Sequence, residues 1–542
     1  MQGKKNYSEK LFTSFQLSDR VPVDNIYRLL LKELDLRFLY KETAQYYGTE
    51  GQLSIDPVVF FKLLLVGYLE NINSDRRIIA FASMRLDVLY FLGYDIDEEL
   101  PWHSTLSRTR QLYGEEIFAK LFKMVLSLCI KKGMVRGKRQ AIDSAFVKAN
   151  ASLDSLTEKP VLNVFEQEIL ADFDAYVNEF SDDDSLNIKP CAESPSDKST
   201  PYVSEQKHSE VEQHHDWKRN EYKDQPGHNK LDKLDEFGNL IRPRYLSNHT
   251  HYSPTDQDAR IAVKPGKSRQ MNYYAQVAVD QAHHVITCAV ADFADKRDSE
   301  CLAFLLDNTI TNLADEGIVL EQIIADAGYS SGEALKYCEQ KQIDAYIPNF
   351  GQYKNSREGF IYNKDLNQYE CTRANKAVLP FRKTITDSKG YTKNIYRSNN
   401  SKCKNCPLRK ECIGTSDFKK IEDSIHKPLY DKMHTKLQTK YAKRLLKQRS
   451  STVEPVLGTL SNFLNLKRTN ARGIKQANKH VIMSAIAYNV KKYLKFVNKV
   501  RVSACAQLKK RTAINKINEV FNILSISFSG NRNSHPNLFN LS

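Results

Sequence analysis

No stretch of this sequence is both long and apolar enough to cross a bilayer. The longest apolar run, "VVFFKLLLVGYL" at 58–69, contains Lys62 and falls well short of the roughly 20 residues a spanning helix needs. The opening residues, "MQGKKNYSEKLFTSFQLSDR", lack the apolar centre of a secretory signal. Cysteine is sparse, 10 in 542 residues, which excludes a disulfide scaffold as the basis of the fold. The expectation is a cytoplasmic protein without a membrane partner, built on ordinary apolar cores. A chain of this length suggests about two to four domains. Acid is in short supply relative to base: 65 Asp+Glu stand against 80 Lys+Arg, a net charge of +15. A surface of that sign favours a polyanion, most often nucleic acid; a merely basic soluble protein is the plainer alternative.

The first 135 residues read as an all-helical module. "SIDPVVFFKLLLVGYLENI" has Asp56 as cap and Pro57 at the first helical position. "SDRRIIAFASMRLDVLYFLG" predicts one helix from a Ser74 cap to a Gly93 stop. "PWHSTLSRTR" puts Ser104, Thr105, Ser107, Arg108 and Arg110 at a helix start, which suits DNA phosphates or simply a solvated basic face. Residues 136–150 contain a strand, "QAIDSAFVKA". Residues 151–255 turn polar and read as a partly disordered insertion, with histidines 208, 214, 215 and 228 in it. From 256 onward the pattern is two strands joined by a turn at Asp280–His284, then helix, strand, helix, strand. The predicted order β–(insertion)–β–β–α–β–α–β gives a mixed sheet with helices packed on it. A second insertion spans about 351–425. Beyond it Val453, Val456, Leu457, Leu460 and Leu464 share one helical face. Thr452 reads as that helix's cap, which would put Glu454 and Pro455 in its first turn. Residues 501–542 read as a basic, loose tail.

Three acids stand out. Asp143 lies within the first strand, Asp326 closes the short apolar run "QIIAD", and Glu454 lies on a helix expected to pack on the same sheet. A desolvated carboxylate is costly unless its charge is compensated. Divalent cations with hard oxygen ligands would compensate it, and two such ions serve phosphodiester displacement. Asp298, in "ADKRDSE", reads as a cap for the next helix or as a neighbour of the site.

"AIDSAFVKANAS", "DQDARIAVKPG", "NYYAQVAVD", "IIADAGYSS" and "SSTVEPVLGTLSNFLNLKRTNARG", taken in that order, resemble the DDE transposases of bacterial insertion sequences. The helical "SIDPVVFFKLLLVGYL…PWHSTLSRTR" region resembles the amino-terminal DNA-binding domain of that family, and the likeness covers most of the chain between about 15 and 495. It implies a ribonuclease-H-like α/β (α+β) mixed sheet with flanking helices, preceded by an all-α domain at 1–135. The catalytic part then spans 136–500, interrupted by the two insertions. The resemblance implies Asp143, Asp326 and Glu454 as a catalytic triad binding Mg²⁺, two ions with Mn²⁺ as a substitute. It also implies double-stranded DNA as partner, both element terminal inverted repeats and target DNA, with a homodimer joining two ends near the bacterial nucleoid. The implied reaction is hydrolysis at the element ends followed by strand transfer. A nuclease that only hydrolyses, and a domesticated or inactive DNA-binding protein, are the rivals on the same fold.

The chain departs from the family in places. Relatives often have Asp-Gly-Thr or Asp-Ser-Thr at the first acid, whereas here it is Asp143-Ser144-Ala145. Relatives also carry an arginine four residues before the last acid and a lysine seven after it. Here Arg449 stands one residue further off and Ser461 holds the lysine place. Arg449, Lys467, Arg468 and Arg472 are the expected substitutes for DNA contact, with a solvated basic helix as the alternative. In the second insertion, Cys371, Cys403, Cys406 and Cys412 suit a tetrahedral Zn²⁺ site that could stabilise a segment poor in apolar residues. Reduced, unliganded thiols are the other reading.

Overall fold

The computed structural model describes residues 5, 14–48, 50, 54–162, 203–204, 208–211, 213, 246–262, 268–351, 356–386 and 390–499. Most of the first insertion, including His214, His215 and His228, and the tail from 500 lie outside the described residues. Eight α-helices come first among those described: α1 (Leu17–Arg20), α2 (Ile26–Glu33), α3 (Phe38–Thr43), α4 (Pro57–Leu69), α5 (Asp75–Ser83), α6 (Leu86–Leu92), α7 (His103–Leu112) and α8 (Glu115–Lys131). Helix α4 begins as its sequence dictates. The Asp56 carboxylate accepts the N–H groups of Val58 at 2.6 Å and Val59 at 3.1 Å, and Pro57 fills the first position, where no N–H is needed. The single helix expected over 74–93 is two. The chain turns extended at Arg85, which pairs with Asp87 in the first turn of α6. Gly93 then ends α6 at φ +88°, a conformation natural to glycine.

A six-stranded mixed sheet follows. Its strands are β1 (Arg139–Lys148), β2 (Arg260–Ala262), β3 (Gln270–Asp280), β4 (Ile286–Phe293), β5 (Gln322–Ile324) and β6 (Asp344–Tyr346). The order is β6–β5–β1–β3–β2, with β4 also pairing with β3. Strands β5 and β6 run parallel to β1, whereas β3 runs antiparallel to it. The order of elements matches the sequence expectation except for the added short strand β2. Strand β3 is buried at every position after Gln270, so both its faces are covered. Helix α9 (Asp298–Ala314) joins β4 to β5, and α10 (Gly332–Gln340) joins β5 to β6.

The second insertion is not merely a loop. It forms an antiparallel five-stranded sheet of β7 (Phe360–Asn363), β8 (Gln368–Cys371), β9 (Val378–Thr386), β10 (Thr392–Arg397) and β11 (Lys420–Ser424), paired in chain order. Two short helices, α11 (Asn400–Lys404) and α12 (Arg409–Cys412), lie between β10 and β11. The core of this sheet is small: Phe360, Tyr369, Leu379, Tyr396 and Ile421.

Helices α13 (Lys427–Leu437), α14 (Lys440–Phe463) and α15 (474–499) return the chain to the main core. Here the structure corrects the sequence reading. Thr452 is not a cap, because α14 runs unbroken through it and Pro455 lies inside the helix. The Thr452 hydroxyl instead donates to the Gln448 carbonyl at 2.9 Å. An internal proline loses one N–H bond and crowds the carbonyl four residues back, at a cost of about 3 kcal/mol. Packing outweighs that. Ala442 and Leu445 sit upstream against Ile324 and Tyr346, while Val453, Val456 and Leu460 sit downstream at 0–1 % exposure, each such aliphatic contributing roughly 1.5–3 kcal/mol. The predicted apolar face is thus correct and its helix longer than predicted.

The segments after α14 are tied back to the sheet and to the helical module. The Asn489 side chain in α15 satisfies both backbone groups of Ile286, at 2.9 and 2.8 Å, which otherwise lie on an open sheet edge. Asn465 donates to the Gly67 carbonyl at 2.9 Å and Asn470 to the Asn73 carbonyl at 2.6 Å, tying the end of α14 to the helical module. One hydrophobic core runs from the helical module through the main sheet to α15. Among the described residues no helix is long and apolar enough to cross a membrane.

Candidate active site

The site is built by strand register. Strands β1 and β5 are parallel neighbours, with Ala141 opposite Ile324. Two residues further along each chain come Asp143 and Asp326. Asp143, midway along β1, and Asp326, just past the end of β5, thus each stand two residues beyond the last paired positions of the two strands. Asp326 lies just past the strand, where its carboxylate caps a short turn by accepting the Gly328 N–H at 3.0 Å. Asp143 accepts the Ser144 N–H at 2.8 Å and the Arg449 guanidinium at 3.0 Å. Arg449 comes from α14, and both members of that pair are mostly buried, at 14 % and 16 % exposure. Burial, helped by the nearby charge of Asp326, pushes the Asp143 carboxyl above its ordinary range; the Ser144 N–H and Arg449 act the other way without cancelling it.

A third aspartate belongs to the same assembly. Asp298, in the first turn of α9, accepts from Ser144 Oγ at 2.7 Å, Tyr274 Oη at 2.9 Å and Gln276 Nε2 at 3.3 Å. The Arg297 position, not Asp298, caps the helix. The buried Tyr329, three residues after Asp326, donates to Gln276 Oε1. The network therefore runs from the residue beside Asp143, through Asp298 and Gln276, to the turn that carries Asp326. A methyl group at Gly328 would meet Asp298 Oδ2 at 2.8 Å and Asp326 Oδ1 at 3.1 Å, so these two carboxylates face a common space that only glycine leaves open. Sequence reasoning left Asp298 between a cap and a neighbour of the site, and did not single out Gln276 or Tyr329. The available signal was the polar Gln276 inside the apolar run "YYAQVAVD".

The other expected residues fall in different places. Glu454 is exposed in the middle of α14 and makes no hydrogen bond or ion pair with any described residue. Among the described residues, no three His, Cys, Asp or Glu side chains are gathered closely enough to hold a metal ion as they stand. The structure thus brings Asp143, Asp326 and Arg449 together and leaves Glu454 outside. In α7, Ser104, Thr105 and Ser107 are half-buried and Arg108 is exposed. Arg110 points inward, bonded through both terminal nitrogens to Asp75 at 2.9 and 2.5 Å. Lys467, Arg468 and Arg472 are exposed on the strand-like segment that follows α14. That segment extends β1, since the Lys148 N–H donates to the Lys467 carbonyl and the Thr469 N–H to the Lys148 carbonyl, each at 3.0 Å. Cys371, Cys403, Cys406 and Cys412 line one small cavity beside the second sheet.

Two family models match the chain. A transposase domain, DUF772, matches residues 15–112, the helical module. A transposase DDE domain matches residues 370–494, from the cysteine-bearing sheet through α14 and most of α15. No curated protein matches the chain. The matched segments follow the expected order, and between them lies the mixed sheet that sets two aspartates side by side. Both matches are to transposase domains, and together they support an insertion-sequence DDE transposase with a ribonuclease-H-like fold, whose function is DNA transposition.

Proposed function

We propose that Asp143 and Asp326 hold the divalent cations of transposition, Mg²⁺ or Mn²⁺, with Glu454 brought to them as the third ligand when DNA is engaged. The observation that carries this reading is that each aspartate stands two residues past the last paired positions of adjacent parallel strands, near enough for the Asp326 charge to raise the Asp143 carboxyl. Their oxygen donors suit hard cations, which keep several waters and need few protein ligands. Arg449 supports the reading further, because a positive charge already sits against Asp143. When bound, two such cations supply the Lewis acidity that activates a water and stabilises the departing oxygen in an in-line phosphodiester displacement.

The residues of the chain prepare that chemistry. The Ser144–Asp298–Gln276–Tyr329 network fixes the walls on which Asp143 and Asp326 stand. Once released from Asp143, Arg449 has a planar fork free for a DNA phosphate close to the cleaved bond. Residues 1–135 form the DNA-binding module, with Ser104, Thr105 and Arg108 of α7 as phosphate contacts. Residues 136–500 form the catalytic part, and exposed Lys467, Arg468 and Arg472 extend the basic surface beside it. Hydrolysis at each element end frees a 3′-hydroxyl, which then attacks target DNA. Two terminal inverted repeats must be held together, so the working form is a homodimer on DNA.

The test uses full-length protein, an end-bearing duplex and Mn²⁺. Asp143→Asn and Asp326→Asn each lower cleavage and joining to background while end binding, measured by gel shift, stays as in the wild type. A pre-cut end with a free 3′-hydroxyl then asks for joining alone, which separates a transposase from a nuclease. Cleavage that survives Asp326→Asn overturns the assignment.

A further inference from the structure

The segment between β10 and β11 poses a packing problem. Helices α11 and α12 bury none of their residues, and the sheet below them has a core of only five buried side chains. Small units with so little apolar burial generally need a cross-link or a metal to hold one conformation. Yet this segment brings three cysteines, Cys403, Cys406 and Cys412, to one cavity. The fourth, Cys371, reaches it from the end of β8, more than 30 residues earlier in the chain. The cavity has a volume of about 20 Å³, room for a single water molecule or ion.

We propose that these four cysteines form a structural Zn²⁺ site that clamps α11 and α12 onto the second sheet. The spacing Cys403-x₂-Cys406 places two ligands on one tight turn, in which the Cys406 N–H donates to the Cys403 carbonyl at 3.3 Å. Cys412 follows one helical turn into α12, and Cys371 anchors the group to the sheet. Four thiolates around Zn²⁺ carry a net charge of −2, and the surroundings are cationic, although Arg373 and Arg409 also pair with Glu358 and Asp417. Arg373, Arg409 and Lys419 line the same cavity, and Arg409 keeps its Nε buried with no acceptor among the described residues. Ser398 Oγ lies 3.0 Å from Cys403 Sγ, in position to donate to a thiolate. The thiols surround the cavity rather than meet at one point, so zinc entry draws them inward as each gives its proton to solvent. The core thiols differ. Burial in apolar surroundings pushes Cys129, Cys288 and Cys338 up to about 12, and Cys301 higher still, so none of them competes for the metal.

Full-length protein, purified without chelator from zinc-supplemented medium, is the sample. Elemental analysis is expected to find about one zinc per chain. Mercurial titration of the wild type should release that zinc as about four thiols react. Replacement of zinc by Co²⁺ should give the thiolate charge-transfer and visible bands of a tetrahedral tetrathiolate site. Cys403→Ser and Cys406→Ser lower the zinc content at least fivefold. A zinc-free wild type with four free thiols, a Cys403–Cys406 disulfide in place of zinc, or unchanged zinc in both variants would overturn the proposal. The mercurial and cobalt readouts need no variant to fold.

Discussion

Arg449→Gln is the perturbation that most directly probes the acidic site. The Arg449 guanidinium occupies one oxygen of Asp143, and both side chains are about 85 % shielded from solvent. Two opposite charges about 4 Å apart attract by about 4 kcal/mol at an effective dielectric near 20, before desolvation is subtracted. Desolvation is substantial here, since Asp143 remains above its ordinary range despite the arginine. A net contribution of about 2 kcal/mol is reasonable for a partly buried pair whose full burial would put the loss at roughly 3–5 kcal/mol. A cation entering between Asp143 and Asp326 must displace Arg449 and forfeit that contribution. Glutamine removes the competitor, so metal affinity should rise by about 2 kcal/mol, or roughly 30-fold at 1.4 kcal/mol per decade. Mn²⁺ titration of DNA-free protein, followed by electron paramagnetic resonance of the free ion, measures this directly. Asp143→Asn in the same assay should abolish the site. Cleavage by Arg449→Gln should nevertheless fall, because the arginine is also proposed to grip DNA. Equal or weaker Mn²⁺ binding by Arg449→Gln would refute the idea that the arginine holds the place of the metal.

Two further outcomes follow from the same geometry. Because the folded-state value of Asp143 lies above its unfolded one, the folded protein takes up protons there; its contribution to metal-free stability therefore falls as pH rises from about 4 through the folded value. Mn²⁺ affinity should climb over that same window, and titrations at a series of pH values would show no such climb if Asp143 is not a ligand. The two arginines of α7 should separate cleanly. Arg110→Ala breaks the two-armed bond to Asp75, with side chains only 21 % and 19 % exposed, and should lower the urea midpoint by an amount equivalent to about 1–3 kcal/mol. Arg108→Ala should leave the midpoint alone and reduce the salt dependence of DNA binding by about one phosphate contact.

The sheet was legible in the sequence because its signals are local. Alternation and apolar runs mark β1, β3 and β4, the turn at Asp280–His284 separates two of them, and Ser331 caps α10 by accepting the Ala334 N–H. The α5–α6 break was not legible, since Met84 and Arg85 are ordinary helix formers and only the Arg85–Asp87 pairing turns the chain. Thr452 misled for the opposite reason. Thr-Val-Glu-Pro has the composition of a helix start, and packing of α14 on the main core, including residues about a hundred positions or more earlier, keeps the helix intact there. The sheet over 360–424 was hidden because its strands are short, rich in charged and polar residues, and contribute only one buried apolar residue each to a small shared core.

For the site, sequence gave the two aspartates their place because parallel strands that feed short connections must stand side by side. What it could not give is the state of charge around them. By its place near Glu454 in the sequence, Arg449 is a candidate DNA contact. The folded chain turns it inward to Asp143 instead, while Glu454, one residue past Val453 on the buried face, is left outside. That arrangement has a physical logic. Two carboxylates near each other repel, and the Arg449 guanidinium against Asp143 offsets that repulsion. An arginine on a helix that also bears the third acid couples the two events. Whatever pulls Arg449 from Asp143, whether metal at the carboxylates or phosphate at the guanidinium, acts on the same helix that carries Glu454, the third ligand in the proposed site. Metal and DNA should therefore bind more tightly together than either does alone.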